Sequence, residues 1–579
     1  MNYKLKWETP LPHDATTCLG WLLAARGVED IEGYVYPSKD YEINPRNLDN
    51  IDAAAHLLYK HLENDNNILI VQDADTDGIC SAAMMWLYIK DFYPNARLEY
   101  VCHEHKAHGL DDIIDDVEES DYDLIILPDA SSFDIKEHER LVKVGKEILV
   151  LDHHDAECYS PYAVVVNNQL SQNYSNKSFC GAGIVYKFLM VMDELMNSPA
   201  HCENYMDLCA LANVADCMSM KHPETRYYIM EGLKRVKNEG LKAFINQQSY
   251  SLFKETKELG YINVAFYIVP LLNAVVRVGT MEEKRLLFEA FINPNKLIQS
   301  DKRGSKPGDM EKVAVEMARR ASNARNRQNK IKEKATELLD MRVHKYALLD
   351  NKILIIPVED KDNIPQELRG LICAQFVNRY HRPCAIVARN SEGYLRGSIR
   401  GNDSFLEVPD FKAFLESSGL PEYIQGHANA AGLSIHENNL DALLEYANSH
   451  ISDEGLSNVY FVDYIFNEDE NIRDMLLVIA DHPELWGNDI EEPAVIVERI
   501  PYYKEQLFVM GENKDSSKFT HNGVEFVKFK DSDFVQEMTA YNRGYITVYG
   551  HIKKNTWAGR TTPQILIQDY TIEDATYDF

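Results

Sequence analysis

Ile68-Leu69-Ile70-Val71-Gln72-Asp73-Ala74-Asp75-Thr76-Asp77-Gly78 is an apolar run that ends in three aspartates at every second position. A continuous apolar run of this length reads as a strand buried on both faces, the kind found in parallel sheets. The pattern recurs twice. Leu124-Ile125-Ile126-Leu127 runs into Asp129, and Ile148-Leu149-Val150-Leu151 runs into Asp152-His153-His154. Ligands of parallel sheets bind beyond the carboxyl ends of the strands, which is where each of these polar residues falls. Carboxylates and imidazoles gathered on one rim repel one another unless cations sit between them. The simplest chemistry for such a rim is a two-metal hydrolytic site.

Outward from this core, strands alternate with helical segments such as Ser81 to Phe92 and Gly183 to Met196, so residues 63–305 read as an α/β domain. Residues 1–62 read as a helical lead-in, with Arg26-Gly27 as a helix stop. Residues 306–345 form a connector, and Asp309 to about Lys345, free of Gly and Pro, predicts one long helix. Its basic residues Arg319, Arg320, Arg325, Arg327, Lys330 and Lys332 are either a solvated face or a nucleic-acid contact. A second α/β unit spans 346–453, opening with Lys352-Ile353-Leu354-Ile355-Ile356. Residues 454–579 carry short β-rich segments (Ala494 to Val497, Gln506 to Met510, Gly544 to Ile552, Gln564 to Ile567), which suggest a small barrel.

A chain of 579 residues is too long for one core, and its hydrophobic share of 45% is ordinary for a globular protein. No stretch approaches the roughly 18–20 uncharged apolar residues that span a bilayer, and the opening residues lack an export signal, so a cytoplasmic place is expected. The ten cysteines form no CxxC pair and read as reduced, buried hydrophobes, which argues against structural zinc. A net charge of −31 argues against broad, nonspecific adhesion to nucleic acid or to an anionic membrane. It leaves room for a nucleic-acid strand held in a local groove beside metal ions.

The string Gln72 to Gly78, with Asp129, Asp152-His153-His154 and Ala215-Asp216, resembles the four motifs of the DHH phosphoesterase superfamily. Further stretches are similar to its RecJ branch of single-strand-specific 5′→3′ DNA exonucleases: Leu23 to Gly27, Cys180-Gly181-Ala182-Gly183, Asn213-Val214-Ala215-Asp216, Arg382-Pro383, Gly397 to Arg400, Gly426 to Gly432, Leu485 to Asn488 and Trp557 to Arg560. The resemblance is collinear over nearly the whole chain. It implies a DHH parallel-sheet domain joined by a long helix to a DHH-associated α/β domain, the two forming a cleft around a narrow channel, with a C-terminal OB-like β-barrel guiding the strand.

The resemblance also implies two divalent cations, Mn2+ or Mg2+, bridged by Asp129. Asp77, His153 and Asp216 would hold one and Asp75 the other; His154 would face the scissile phosphate, and Asp152 would orient the histidines. Asp73 lies in the motif with a less certain part. A terminal phosphate would meet Arg277, Ser398 and Arg400, with His427, Arg379 and Arg396 as further candidates; arginine suits phosphate through its bidentate fork. Hard oxygen ligands with one or two imidazoles independently suit manganese or magnesium better than zinc.

The implied partner is single-stranded DNA, alongside a helicase or a single-strand-binding protein; no membrane is called for, and a monomer is expected. The setting would be DNA repair, recombination or replication, in a bacterium or one of its viruses. The chain departs from the pattern at Leu271 and His103, where arginine is usual or frequent, at Val276 and at Val71. The choice between a 5′ phosphate and a 5′ hydroxyl therefore stays open. Two rivals remain: a DHH phosphodiesterase for short oligoribonucleotides or cyclic dinucleotides, and a non-catalytic scaffold of the same fold.

Overall fold

The computed structural model describes residues 1–103, 108–253, 258–457, 459–540, 542–557 and 559–574; Ala558 of the Trp557 to Arg560 stretch lies outside them. The chain divides into two compact units. One comprises residues 26–327 with 483–491, the other residues 1–25 with 328–482 and 492–579.

The first unit is built on five strands: Ile68–Gln72 (β1), Leu98–Cys102 (β2), Leu124–Pro128 (β3), Glu147–Asp152 (β4) and Val164–Asn167 (β5). Every pairing is parallel, in the order β2-β1-β3-β4-β5. All residues of β1 and β3 are buried, which is why their sequences are continuously apolar rather than alternating. In this strand order the chain reverses direction of travel between β1 and β3, and a crevice opens there at the carboxyl ends. Helices Thr76–Phe92 (α1), Gly181–Leu195 (α2) and Met206–Ala215 (α3) follow, each largely buried.

Among the described residues one helical stretch, Tyr261–Val278, is long and apolar enough to cross a membrane, and 44% of it is buried in the fold. It is two helices, Tyr261–Tyr267 (α4) and Val269–Val278 (α5), with Pro270 in the first turn of the second. The single long helix forms as expected, over Val313–Lys345 (α6), starting later than Asp309 because Met310–Lys312 pair as a strand with Leu297–Gln299. Part of its basic face is paired: Arg320 meets Glu316 at 3.0 Å and Glu282 at 3.1 Å, and Arg327 meets Glu283 at 2.6 Å. Those partners favour a structural face over a nucleic-acid contact at these arginines.

In the second unit, strands Leu354–Val358 (β6), Cys384–Arg389 (β7), Tyr394–Arg400 (β8), Tyr423–His427 (β9) and Ala430–His436 (β10) form a sheet in the order β9-β10-β8-β7-β6. Helix Gln366–Tyr380 (α7) packs on it. The C-terminal part is a seven-stranded sheet that includes Ala494–Tyr503, Arg543–Trp557 and Arg560–Asp574. The lead-in is not helical throughout. Asn2–Leu5 form a strand paired in parallel with Val459–Val462, and Tyr3 and Leu5 join a small apolar cluster there. A partner more than 450 positions away leaves no local signature.

Candidate metal centre

Each acidic group is placed by a different element of the first unit. Asp75 caps α1, accepting from the Gly78 amide at 3.0 Å. Asp77, in the first turn, accepts from the amides of Gly181 at 2.7 Å and Ala182 at 2.8 Å, so the start of α2 supplies the positive end of its dipole to this carboxylate. Asp129 follows β3 at φ 71, a left-handed turn that its amide locks by donating to Leu151 O at 2.8 Å. Asp216 closes α3 as its C-cap.

These side chains converge on His153. Its Nε2 lies 3.3 Å from Asp129, 3.5 Å from Asp216 and 3.8 Å from Asp77. Three groups have ligand atoms within 4.8 Å of one another: Asp77-His153-Asp216, Asp129-His153-His154 and Asp73-Asp75-Asp129. Asp129 belongs to two of them. Asp152 stands behind, accepting from the His153 and His154 amides at 2.7 and 3.1 Å and from the Ser132 amide at 3.0 Å. Its 2.8 Å contact to His154 Nδ1 leaves Nε2 of that ring for a ligand or substrate.

The electrostatics describe a site built for cations. Burial, and then the charges of Asp77, Asp75, Asp73 and Asp216, push the Asp129 carboxyl well above the usual range. Burial followed by Asp77 and Asp75 lifts Asp216 to about 8. Burial lowers His153, keeping it a neutral ring able to ligate. For His154, burial opposes the proton, but the hydrogen bond and charge of Asp152 win and raise it to about 9. Asp152 is itself held below the carboxylate range: burial works against this, and the His154 bond outweighs it. Asp129 Oδ1 is buried without a hydrogen-bond partner. A buried, unpartnered carboxylate oxygen among like charges is costly unless a cation completes it, so the donor set fits a pair of hard divalent ions.

Asp73 takes a supporting part. It accepts from the Gly109 amide at 3.2 Å and meets His108 Nδ1 at 2.8 Å, pinning the loop after β2. Arg277 lies one helical turn beyond Asn273 on α5, and Asn273 accepts from the Thr76 hydroxyl at 3.0 Å, so α5 is docked at the start of α1. Leu271 is buried in the helix packing. His103 is buried, with Nδ1 2.5 Å from Asp112 and Nε2 unpartnered.

In the second unit, the register sets Arg400, Ala430 and His427 side by side on β8, β10 and β9, and sets Ser398 opposite Gly432 two residues along. Side chains alternate across a sheet. Ile399, Ala431 and Leu433 enter the core, so Ser398, Arg400 and His427 share the opposite face. Gly370 of α7 is what lets Arg400 lie there, because a Cβ would sit 2.4 Å from its guanidinium. Arg396 belongs to the same face and is exposed. Arg379 does not join this group; it is paired with Asp340 at 2.8 Å.

Sequence reading missed the backbone-holding residues. Asn167 donates to Ser132 Oγ and to His154 O, both at 2.9 Å, and Gln169 donates to His153 O at 3.1 Å. Their only signal was position, at and just beyond the end of the neighbouring strand. Gly181 has a sharper role: a Cβ there would lie 2.2 Å from Asp129 Oδ1. Gly181→Ala is therefore expected to keep the fold but weaken Mn2+ binding by about 10- to 100-fold, the range for residues that orient ligands. Calorimetric titration with Mn2+ checks this, and an unchanged affinity would remove Gly181 from the site.

Comparison with known proteins identifies the family and the fold. Residues 67–213 match the DHH family, N-terminal domain, and residues 468–569 match the RecJ OB domain. A Bacillus subtilis protein named as an SPbeta prophage-derived single-strand DNA-specific exonuclease, YorK, is 35% identical over 99% of this chain and 98% of its own length. The single-stranded-DNA-specific exonuclease RecJ of Bacillus subtilis is 22% identical over 99% of this chain and 71% of its own. The crystal structure of RecJ in complex with Mn2+ from Thermus thermophilus superposes with a TM-score of 0.72 at 19% identity, covering 97% of this chain and 78% of that one.

Proposed function

The chain belongs to the RecJ-type family of single-strand-DNA-specific exonucleases, and from that premise we propose that it hydrolyses single-stranded DNA from the 5′ end with two divalent cations. The observation that carries this reading is the meeting of Asp77, Asp216 and Asp129 around His153 at the switch point of a parallel sheet.

Asp77, His153 and Asp216 would hold one Mn2+ or Mg2+, Asp75 the other, with Asp129 shared. When bound, such a pair activates water and neutralises the charged oxygens of an in-line displacement at phosphorus. The remaining work falls to the chain. Asp152 fixes the His154 ring through Nδ1, which turns Nε2 toward a phosphate oxygen or a ligand. Asn167 donates to the His154 carbonyl and Gln169 to the His153 carbonyl, which holds the backbone of both histidines. Ser398, Arg400 and His427, gathered on one sheet face, suit a terminal phosphate. A place in DNA repair, recombination or replication, in a cytoplasm and beside a helicase, is part of this reading. The intact cluster speaks against a scaffold.

The test uses single-stranded DNA labelled at either end, carrying a 5′ phosphate or a 5′ hydroxyl, with duplex as control. With Mn2+ we expect mononucleotides from the 5′ end, slow action on blunt duplex, and arrest by a chelator. Intact single strands in the presence of folded protein and Mn2+ would sink the proposal.

A further inference from the structure

We propose that Asn488 is a positioning residue for Asp216, an inference that rests on the metal reading above. Asp216 is less sheltered than the other two acids around His153: its side chain is 35% exposed, against 2% for Asp77 and 1% for Asp129. Asp77 is gripped by helix amides and Asp129 by the sheet, whereas Asp216 depends on the loop that follows α3. That loop is strained at once, because Cys217 adopts φ 53.

The short segment 483–491 closes on this loop and belongs to the same compact unit. The Asn488 side-chain amide donates to Cys217 O at 2.6 Å, and its backbone carbonyl accepts from the Met220 amide at 3.0 Å. One residue thus brackets the left-handed turn from both sides. Gly487 permits the approach, since a Cβ there would lie 2.6 Å from Met220 Cγ. The segment is itself rigid. Gly487 and Ile490 exchange backbone bonds of 2.9 and 3.2 Å, so Asn488 sits at the tip of a tight turn. Its start is tied down by Tyr34, whose hydroxyl donates to Leu485 O at 2.8 Å, and by the buried Arg226, which donates to Glu484 O at 3.2 Å. Its end is held by Arg26, which donates to Glu491 O at 3.2 Å.

Asn488 lies within the stretch that matches the RecJ OB domain, yet it serves a carboxylate of the metal cluster. A purely architectural contact would stabilise the fold without regard to Asp216. A positioning residue acts through it.

The experiment is Mn2+ titration calorimetry on the full chain, with thermal unfolding alongside, for the unmodified protein, Asn488→Ala, Asp216→Ala and the double variant. Asn488→Ala should weaken Mn2+ affinity about 10-fold, at the lower end for residues that orient ligands, and should add nothing once Asp216 is gone. Any fall in melting temperature should be equal in both backgrounds. Asn488→Asp, which keeps the size but removes the donor, should reproduce the loss and covers the case in which the alanine variant fails to fold. Wild-type affinity in both Asn488 variants, or an equal loss with and without Asp216, would overturn the proposal. If the unmodified chain takes up no Mn2+, the metal reading fails first, and that result is distinct from either.

Discussion

Asp129→Ala is expected to abolish Mn2+-dependent degradation of single strands while leaving the metal-free protein at least as stable as before. The carboxylate is shared by two of the three candidate ligand groups, so its loss would disturb both of the proposed ions together. Metal stabilisation of transition-state charge amounts to several kcal/mol, and each 1.4 kcal/mol is tenfold, so a rate loss of at least about 10³-fold follows. The stability argument runs the other way. Without cations Asp129 is a buried acid facing four others, with one oxygen unpartnered. Its folded-state pKa is raised, so its contribution is favourable below the ordinary carboxylate range and is lost as pH rises; at neutral pH it is a burden. Removing it relieves about 1–3 kcal/mol of unsatisfied burial. Added Mn2+ should raise the melting temperature of the unmodified protein, by about 2.7 kcal/mol of stabilisation at a hundredfold excess over Kd, and should leave the variant unmoved. Retained activity, or an unchanged response to Mn2+, would remove Asp129 from the centre of the site.

The rim residues were legible because their signal is local. A fully buried parallel strand must be apolar throughout, and the first polar residue after it must sit at the carboxyl edge, so Asp73, Asp129 and Asp152 announce both the fold and the site. Ser398, Arg400 and His427 were legible only through resemblance; their common face follows from strand pairing, which no local pattern encodes. The roles of Asn167 and Gln169, and the one proposed for Asn488, stayed hidden for the same reason. Each acts on a backbone atom of another segment, and Asn488 reaches Cys217 across 271 positions. The basic face of the long helix illustrates the converse. Arg320 and Arg327, two of its six cations, look available to nucleic acid until the fold supplies Glu282, Glu283 and Glu316 as partners.

The second large effect is expected far from the chemistry. Lys187 on α2 and Glu224 are both fully buried and pair at 2.6 Å. Every polar atom of the pair is engaged: Lys187 donates to Ile43 O at 2.8 Å, and Glu224 accepts from the Ile43 amide at 2.9 Å, Tyr174 at 2.8 Å and Asn176 at 3.0 Å. Lys187→Met leaves a buried carboxylate with no cation, a change that costs about 3–5 kcal/mol. At about 2–4 °C per kcal/mol, the melting temperature should fall by roughly 6–20 °C. Because the chain has two compact units and is expected to unfold in more than one step, the measurement belongs on the transition that Mn2+ shifts. Lys187→Met should keep the Mn2+ increment that Asp129→Ala loses, since α2 still presents Gly181 and Ala182 to Asp77 whenever the unit is folded. The double variant Lys187→Met/Glu224→Met removes the stranded charge and should recover much of the loss. A single variant destabilised by less than about 1 kcal/mol would mean that water reaches Glu224, and the pair would then be worth no more than a surface one.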